Sequence, residues 1–331
     1  MQRCWQSRPL QLTFLAAVLV LGTALFSEDD KDAFPTAIDT QLDPPPLTTP
    51  AEALAAIKAP EGFQVTLFAA EPEVRQPIGF TTDPRGRLWV AENYTYAARP
   101  VVKDERHRDR IVILEDRDHD GEADHRKVFW DKAIQLTSVE VGMGGVWAMC
   151  PPQLLFLPDA NGDDVPDSDP VVLLDGFELG ASSHHNFANG LKWGPDGWLY
   201  GRNGISNDGH VGIPGTPDSE RLVIGPGIWR YHPQTRRIEM VCSGTTNAWG
   251  HDWDDHGELF FINTVIGHLW HALPGAHFKR MFGPDHNPYV YELLDQNADH
   301  VHWDTAEAWS DTKKGMSRST DEAGGGHAHS G

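Results

Sequence analysis

The chain has 331 residues, 40% hydrophobic and 10% aromatic, enough to bury the core of one large all-β domain or two small ones. Its 27 Lys and Arg stand against 48 Asp and Glu, a formal charge of −21. That balance excludes binding of nucleic acid through the phosphate backbone and suits a secreted protein, or one that holds cations.

The N-terminus carries a targeting pattern. Arg3 and Arg8 form a basic start, Leu10–Phe26 is an almost unbroken apolar run, and Glu28-Asp29-Asp30-Lys31 ends it. Residues 1–27 read as a secretory signal peptide or an uncleaved membrane anchor, and the expected location is extracytoplasmic: periplasmic, or anchored and facing outward. Residues 28–59 read as a Pro/Asp-rich linker with a short helix, Thr49 being its N-cap and Pro50 its first turn. Pro60 opens the β region, where Phe63, Val65 and Leu67 alternate as a first strand.

From here one hairpin recurs. The clearest copy is Leu191-Lys-Trp-Gly-Pro-Asp-Gly-Trp-Leu-Tyr200, in which Pro195 pre-sets φ and Gly197 supplies positive φ in a tight turn. The aromatic after each turn is Trp89, Trp147, Tyr200 and Phe260, a spacing of about 50–60 residues that marks a β-propeller. Each blade is a small sheet that cannot bury both faces alone, so neighbours must stack. The expectation is an all-β propeller over residues 60–331, of six-bladed type with about five blades present and the C-terminal end falling inside a blade. Blade four is expected to hold Ile228–Tyr231 and Arg237–Val241, and blade five to begin near residue 268. A β-sandwich is the alternative. Of three cysteines, Cys4, Cys150 and Cys242, none lies in a CxxC motif, so no zinc knuckle or CxxCH haem site is present, and Cys150 and Cys242 read as buried thiols.

Two loops have the oxygen spacing of a calcium site. The first offers Asp116, Asp118, Asp120 and Asp124, with Gly121 at the sharp turn; the second offers Asp159, Asn161, Asp163 and Asp167, with Asp164 where Gly belongs. Both lie between strands and lack a closing Glu, so neither is an EF-hand. A polar turn without metal is the alternative for each.

The candidate chemistry is at strand entrances. His184 and His185 precede the third hairpin, and alternation along a strand would send only one of them into a central channel. His185, an imidazole at a strand mouth, suits proton abstraction; a histidine bonded to a loop carbonyl is the bland alternative. Arg202 and Asn203 follow that hairpin in a Gly-bounded loop suited to an anionic cofactor. Asn247 and His251 stand before the fourth hairpin, the alternatives being a turn residue and a strand histidine with satisfied hydrogen bonds. His327 and His329 follow Gly324–Gly326 and could face one way on a strand, or belong to a frayed end.

Pro60-x-Gly-Phe-x-Val-x-Leu-x-Ala-x-Glu-Pro72, Asn189-Gly-Leu-x-x-Gly-Pro-Asp-Gly-x-Leu-Tyr200, Asn247-Ala-Trp-Gly-His251 and Gly325-Gly-His-Ala-His329 together resemble the planctomycete-type membrane-bound dehydrogenases. The N-terminal propeller of these is similar to the soluble quinoprotein glucose/sorbosone dehydrogenases. The resemblance implies oxidation of a sugar or alcohol with pyrroloquinoline quinone (PQQ) and a haem-domain electron acceptor that this chain lacks; calcium is expected from the spacing of the two acidic loops. It implies His185 as general base and an Arg-Asn pair on the quinone, of which Thr246-Asn247 retains only the asparagine. The missing cation matters, because it would stabilise the reduced quinone's anionic oxygen. A non-catalytic propeller binding carbohydrate or protein, and an inactive fragment of a larger haem-containing protein, remain the other readings.

Overall fold

The computed structural model describes residues 48–97, 103–179, 185–205, 207–263, 269–280 and 283–295, with the backbone of 301–302 and 307–308. The N-terminal targeting segment, most of the linker, His184, His327 and His329 lie outside the described residues.

The short helix forms as its sequence dictates. In α1 (Pro50–Ala56) the Thr49 side chain accepts from the Glu52 N–H while Glu52 reaches back to the Thr49 N–H, a complete capping box with Pro at the first turn. Among the described residues no helix is long and apolar enough to cross a membrane.

The rest is a β-propeller, built from antiparallel sheets whose strands follow one another outward. Blade one is β1 (Pro77–Thr82), β2 (Leu88–Glu92), β3 (Asp109–Glu115) and β4 (His125–Ala133); blade two is β5 (Ser138–Gly142), β6 (Gly145–Cys150), β7 (Gln153–Pro158) and β8 (Val171–Asp175). Blade three starts with β9 (Asn189–Trp193) and β10 (Leu199–Asn203). A small ribbon, β11 (Gly209–Val211) with β12 (Leu222–Ile224), is inserted before the blade closes with β13 (Gly227–His232) and β14 (Arg237–Ser243). Blade four is β15 (Ala248–Trp253), β16 (Leu259–Asn263) and β17 (Leu269–His271); Val301–His302 and Glu307–Ala308 form a separate two-stranded pair.

Three expectations change. Residues 63–68 form no strand: Phe63 and Val65 stay exposed, the Phe63 N–H only closes a turn on the Pro60 carbonyl, and the Phe68 carbonyl accepts from the Ala123 N–H. Ile228–Tyr231 and Arg237–Val241 belong to blade three, because β13 pairs with β10 across the inserted ribbon. Trp270 lies in the third strand of blade four rather than in a fifth blade.

Packing between blades explains why the strands read as apolar runs rather than clean alternation. In β6, Val146 and Ala148 join the core with blade one, while Trp147 and Met149 join the core with blade three. The repeated aromatics fill these seams. Trp89 packs towards blade two, Trp147 towards blade three and Tyr200 towards blade four, whereas Phe260 stacks on His271 instead. Cys150 and Cys242 are free and buried, as the sequence suggests.

The first strand of each blade, β1, β5, β9 and β15, lies against its neighbours' first strands at the centre. Three of these strands carry a one-residue bulge against their partner: at Ile78 in β1, at Gly190-Leu191 in β9 and at Trp249-Gly250 in β15. A bulge bends the strand and re-aims the side chains beside it.

Candidate functional site

Those bulged segments enclose a cavity of about 200 Å³. Its walls are Ile78, Gly79 and Phe80 of β1, Thr137 and Ser138 at the start of β5, Asn189–Lys192 of β9, and Trp249–His251 of β15. One residue from a second strand also enters: Arg202 of β10.

Arg202 reaches the cavity because position 190 has no side chain. It pairs across the ladder with Asn189, and a Cβ on Gly190 would overlap its guanidinium. Gly190 also has φ of +67°, so the bulge and the open space are provided by the same residue. Arg202 makes no hydrogen bond or ion pair among the described residues, and its Nε is buried without an acceptor. Its Cζ lies 5.9 Å from the centroid of the Trp249 ring. Burial brings its pKa down to about 9, which still leaves it charged at neutral pH.

His251 lies beside it, 9% exposed, and neither ring nitrogen has a partner. The strand-histidine alternative required satisfied hydrogen bonds and therefore does not apply. Burial, with the charges of Arg202 and Lys192, holds its pKa well below the ordinary histidine value, so the imidazole is neutral. Lys192 is paired with Asp252 at 2.7 Å. The buried Asn189 Oδ1 also lacks a partner. The cavity thus combines one uncompensated positive charge with neutral donors and acceptors in a chain of formal charge −21.

The other candidates lie nearby in different settings. Arg202 and Asn203 are in strand β10, not in a loop. Asn203 is buried and donates to the Asn207 carbonyl at 2.9 Å, which makes it a brace for the chain beyond β10. Asn247 bridges to Gly204 and donates its backbone N–H to Asn263 Oδ1, leaving its own buried Oδ1 unpartnered. His185 is exposed, does not line the cavity, and bonds through Nδ1 to the Tyr96 hydroxyl of blade one. Tyr96 stays protonated, its pKa raised by burial. The Ile205 N–H donates to the Thr246 carbonyl, so the segment after Arg202 runs beside the position where the resemblance implies an arginine.

The two acidic loops share a hydrogen-bond plan. In the first, the Asp120 and Gly121 N–H groups donate to Asp116, and that of Glu122 donates to Asp120. In the second, the Asp163 and Asp164 N–H groups donate to Asp159, and that of Val165 donates to Asp163. Asp116, Asp118 and Asp120 each bring one oxygen within 4.8 Å of the others, while Asp124 accepts from the Arg117 N–H. In the second loop Asn161 donates to Asp163, and Asp167 accepts from the Ala160 N–H. Asp164 does adopt a positive φ of 64° at the turn position that Gly121 takes in the first loop, and its side chain binds Arg87 of blade one bidentately, at 2.6 and 2.8 Å.

Gly190, Lys192, Trp249 and Tyr96 were not singled out by the sequence. The Asn189-Gly190-Leu191 pattern was visible, but that its glycine makes room for an arginine twelve residues on depends on strand register. Over residues 49–327 the chain matches the family described as Domain of unknown function (DUF7133), and it belongs to that family. No curated protein matches the sequence. Among solved structures it is similar to the PQQ-bound aldose sugar dehydrogenase from Streptomyces coelicolor, with 16% identity, TM-score 0.43 and 67% of each chain covered. It is also similar to a protein from Thermus thermophilus described as an oxidoreductase (glucose dehydrogenase), with 17% identity, TM-score 0.44, and 67% of this chain and 69% of that one covered. A periplasmic gluconolactonase from Pseudomonas aeruginosa is similar at 13% identity and TM-score 0.30, with 56% and 63% covered.

Proposed function

We propose that this DUF7133 member is the propeller of an exported, quinoprotein-like dehydrogenase that oxidises a sugar or alcohol with PQQ. The supporting observation is the half-buried, unpartnered Arg202 in a cavity at the meeting of the blades. It offers the cation whose absence at Thr246 weakened the reading from sequence.

The donor set suits an anionic, planar quinone. Arg202, His251 and Asn247 would hold it, with Asn203 bracing the strand, and Gly190 leaves room beside the guanidinium. When bound, the quinone supplies the hydride acceptor. Arg202 then stabilises negative charge on an oxygen, which is most effective where water is excluded. His185 takes the proton from the substrate hydroxyl. Its Nδ1 is bonded to the Tyr96 hydroxyl, which holds the ring in place. Calcium is proposed on the acidic loops, a haem domain as onward electron acceptor, and residues 1–27 as signal or anchor.

The test reconstitutes the full chain with PQQ and calcium and assays it with an artificial electron acceptor over sugars and alcohols. Turnover is expected, with His185→Ala losing about 10²–10⁴-fold in rate while quinone binding survives. Asn247→Ala is expected to weaken quinone binding by about 1.5–3 kcal/mol. Failure of the quinone to bind would overturn the dehydrogenase reading. A non-catalytic carbohydrate-binding propeller would then stand, a reading favoured by the absence of His185 from the cavity wall.

A further inference from the structure

We propose that the cavity between Arg202 and His251 is a site for one carboxylate group. The inference rests on the cavity alone and does not require the dehydrogenase reading. A guanidinium without an acceptor is a costly thing to bury, and carboxylate is the group whose two oxygens match its fork. Arg202 supplies that fork, with a buried Nε that nothing else satisfies. His251 supplies one donor nitrogen, because a neutral imidazole carries a single N–H. Both its nitrogens are free to turn to a ligand, since neither has a protein partner.

The limit to one group follows from the surrounding charges. Lys192 is spent on Asp252, 2.7 Å away. Beyond the cavity wall Glu140 accepts from Thr81 at 2.9 Å on the adjoining first strands. Glu140 is not part of the lining, so with Lys192 paired one positive charge, that of Arg202, is left to face the cavity, enough for one carboxylate. Trp249, beside the guanidinium, adds an apolar wall against which a carbon skeleton can lie. The carboxylate could be carried by an acidic sugar or by the quinone cofactor.

The experiment is titration calorimetry on the full chain with D-gluconate, D-glucuronate, D-glucose, inorganic phosphate and PQQ. The sugar acids are expected to bind, glucose and phosphate much more weakly, and Arg202→Gln to reduce the binding about tenfold to hundredfold. Gly190→Ala keeps the charge but puts a methyl group where the guanidinium lies, so it is expected to lose binding as well. Circular dichroism confirms folding of each variant. In the absence of ligand Arg202→Met is expected to melt no lower than the parent, since it removes an unpaired, half-buried cation. Binding of the sugar acids without the quinone supports the site and assigns it to substrate, while the dehydrogenase reading falls. Quinone binding alone, lost in Arg202→Gln, supports the site and assigns the carboxylate to the cofactor. No binding by any probe, equal binding of glucose and glucuronate, tighter binding of phosphate, or an unaffected Arg202→Gln overturns the proposal.

Discussion

His251 carries its consequence in its burial. An unfolded histidine titrates near 6.5, whereas this one is held well below that by burial and by the charges of Arg202 and Lys192. Between the two values the unfolded chain binds a proton that the folded chain refuses. Stability is therefore intact above about pH 6.5 and falls as the pH drops below it, by up to about 1.4 kcal/mol per unit. Asp252, paired with Lys192, stays ionised at these pH values and does not reverse the sign. The difference between parent and His251→Gln isolates the residue. Melting temperatures measured from pH 7.5 to 5 are expected to fall less steeply in the variant, and parallel profiles would remove His251 from this account.

At the level of strands and loops, a single carboxylate ties the channel-facing parts of blade one to blade two. Asp109 of β3, fully buried, accepts from the Tyr94 and Thr95 N–H groups, the Thr95 hydroxyl and the Leu136 N–H, all at 2.7–2.8 Å. It thereby fixes the turn that presents Tyr96 to His185 and the entry into β5. Asp109→Asn would set an amide N–H₂ against some of these donors. A loss of about 3 kcal/mol is expected, since hydrogen bonds to charged groups contribute about 1.5–3 kcal/mol each. Urea denaturation measures it, and a loss below about 1 kcal/mol would show that the knot is dispensable. The hairpins were legible in the sequence because Gly86, Gly197 and Gly257 mark turns between apolar runs, and α1 was legible because its cap is local. Asp109 was not, because its partners are 14 to 27 residues away and nothing local distinguishes it from a surface aspartate. The bulges escaped for the same reason: Leu191 and Trp249 look like ordinary strand residues until the partner's register is known. Blade three was divided wrongly because the β11–β12 ribbon interrupts the blade where a new one was expected.

Across the whole molecule, the aromatic spacing announced stacked blades, and the seams bear that out through Trp89, Trp147 and Tyr200. What the spacing could not announce is that the acidic loops of these neighbouring blades are joined to each other. Lys127 of β4 donates to the Asp163 carbonyl at 2.8 Å, and Arg87 of blade one is gripped by Asp164 of blade two. Arg87 holds the Asp164 carboxyl below its usual range, so the link is ionised at neutral pH. In the first loop Asp116, Asp118 and Asp120 face one another across short distances in a chain already at −21, and each unscreened pair opposes the fold. If calcium binds there, as proposed, it removes that repulsion only in the folded chain, where the oxygens converge. A ligand at 100 times its Kd adds about 2.7 kcal/mol, and one kcal/mol moves the melting point of a 150–250-residue domain by about 2–4 °C. Adding millimolar calcium to chelator-treated protein is therefore expected to raise the melting temperature by at least about 5 °C. Magnesium should do less, because it holds its water more tightly and fits a flexible carboxylate loop poorly. Asp118→Ala combined with Asp120→Ala should lose most of the calcium response yet keep the interblade link, since neither residue touches Arg87 or Lys127. A parent protein whose melting temperature ignores calcium would mean that these loops are turns closed by their own backbone hydrogen bonds, with the carboxylates serving as acceptors and nothing more.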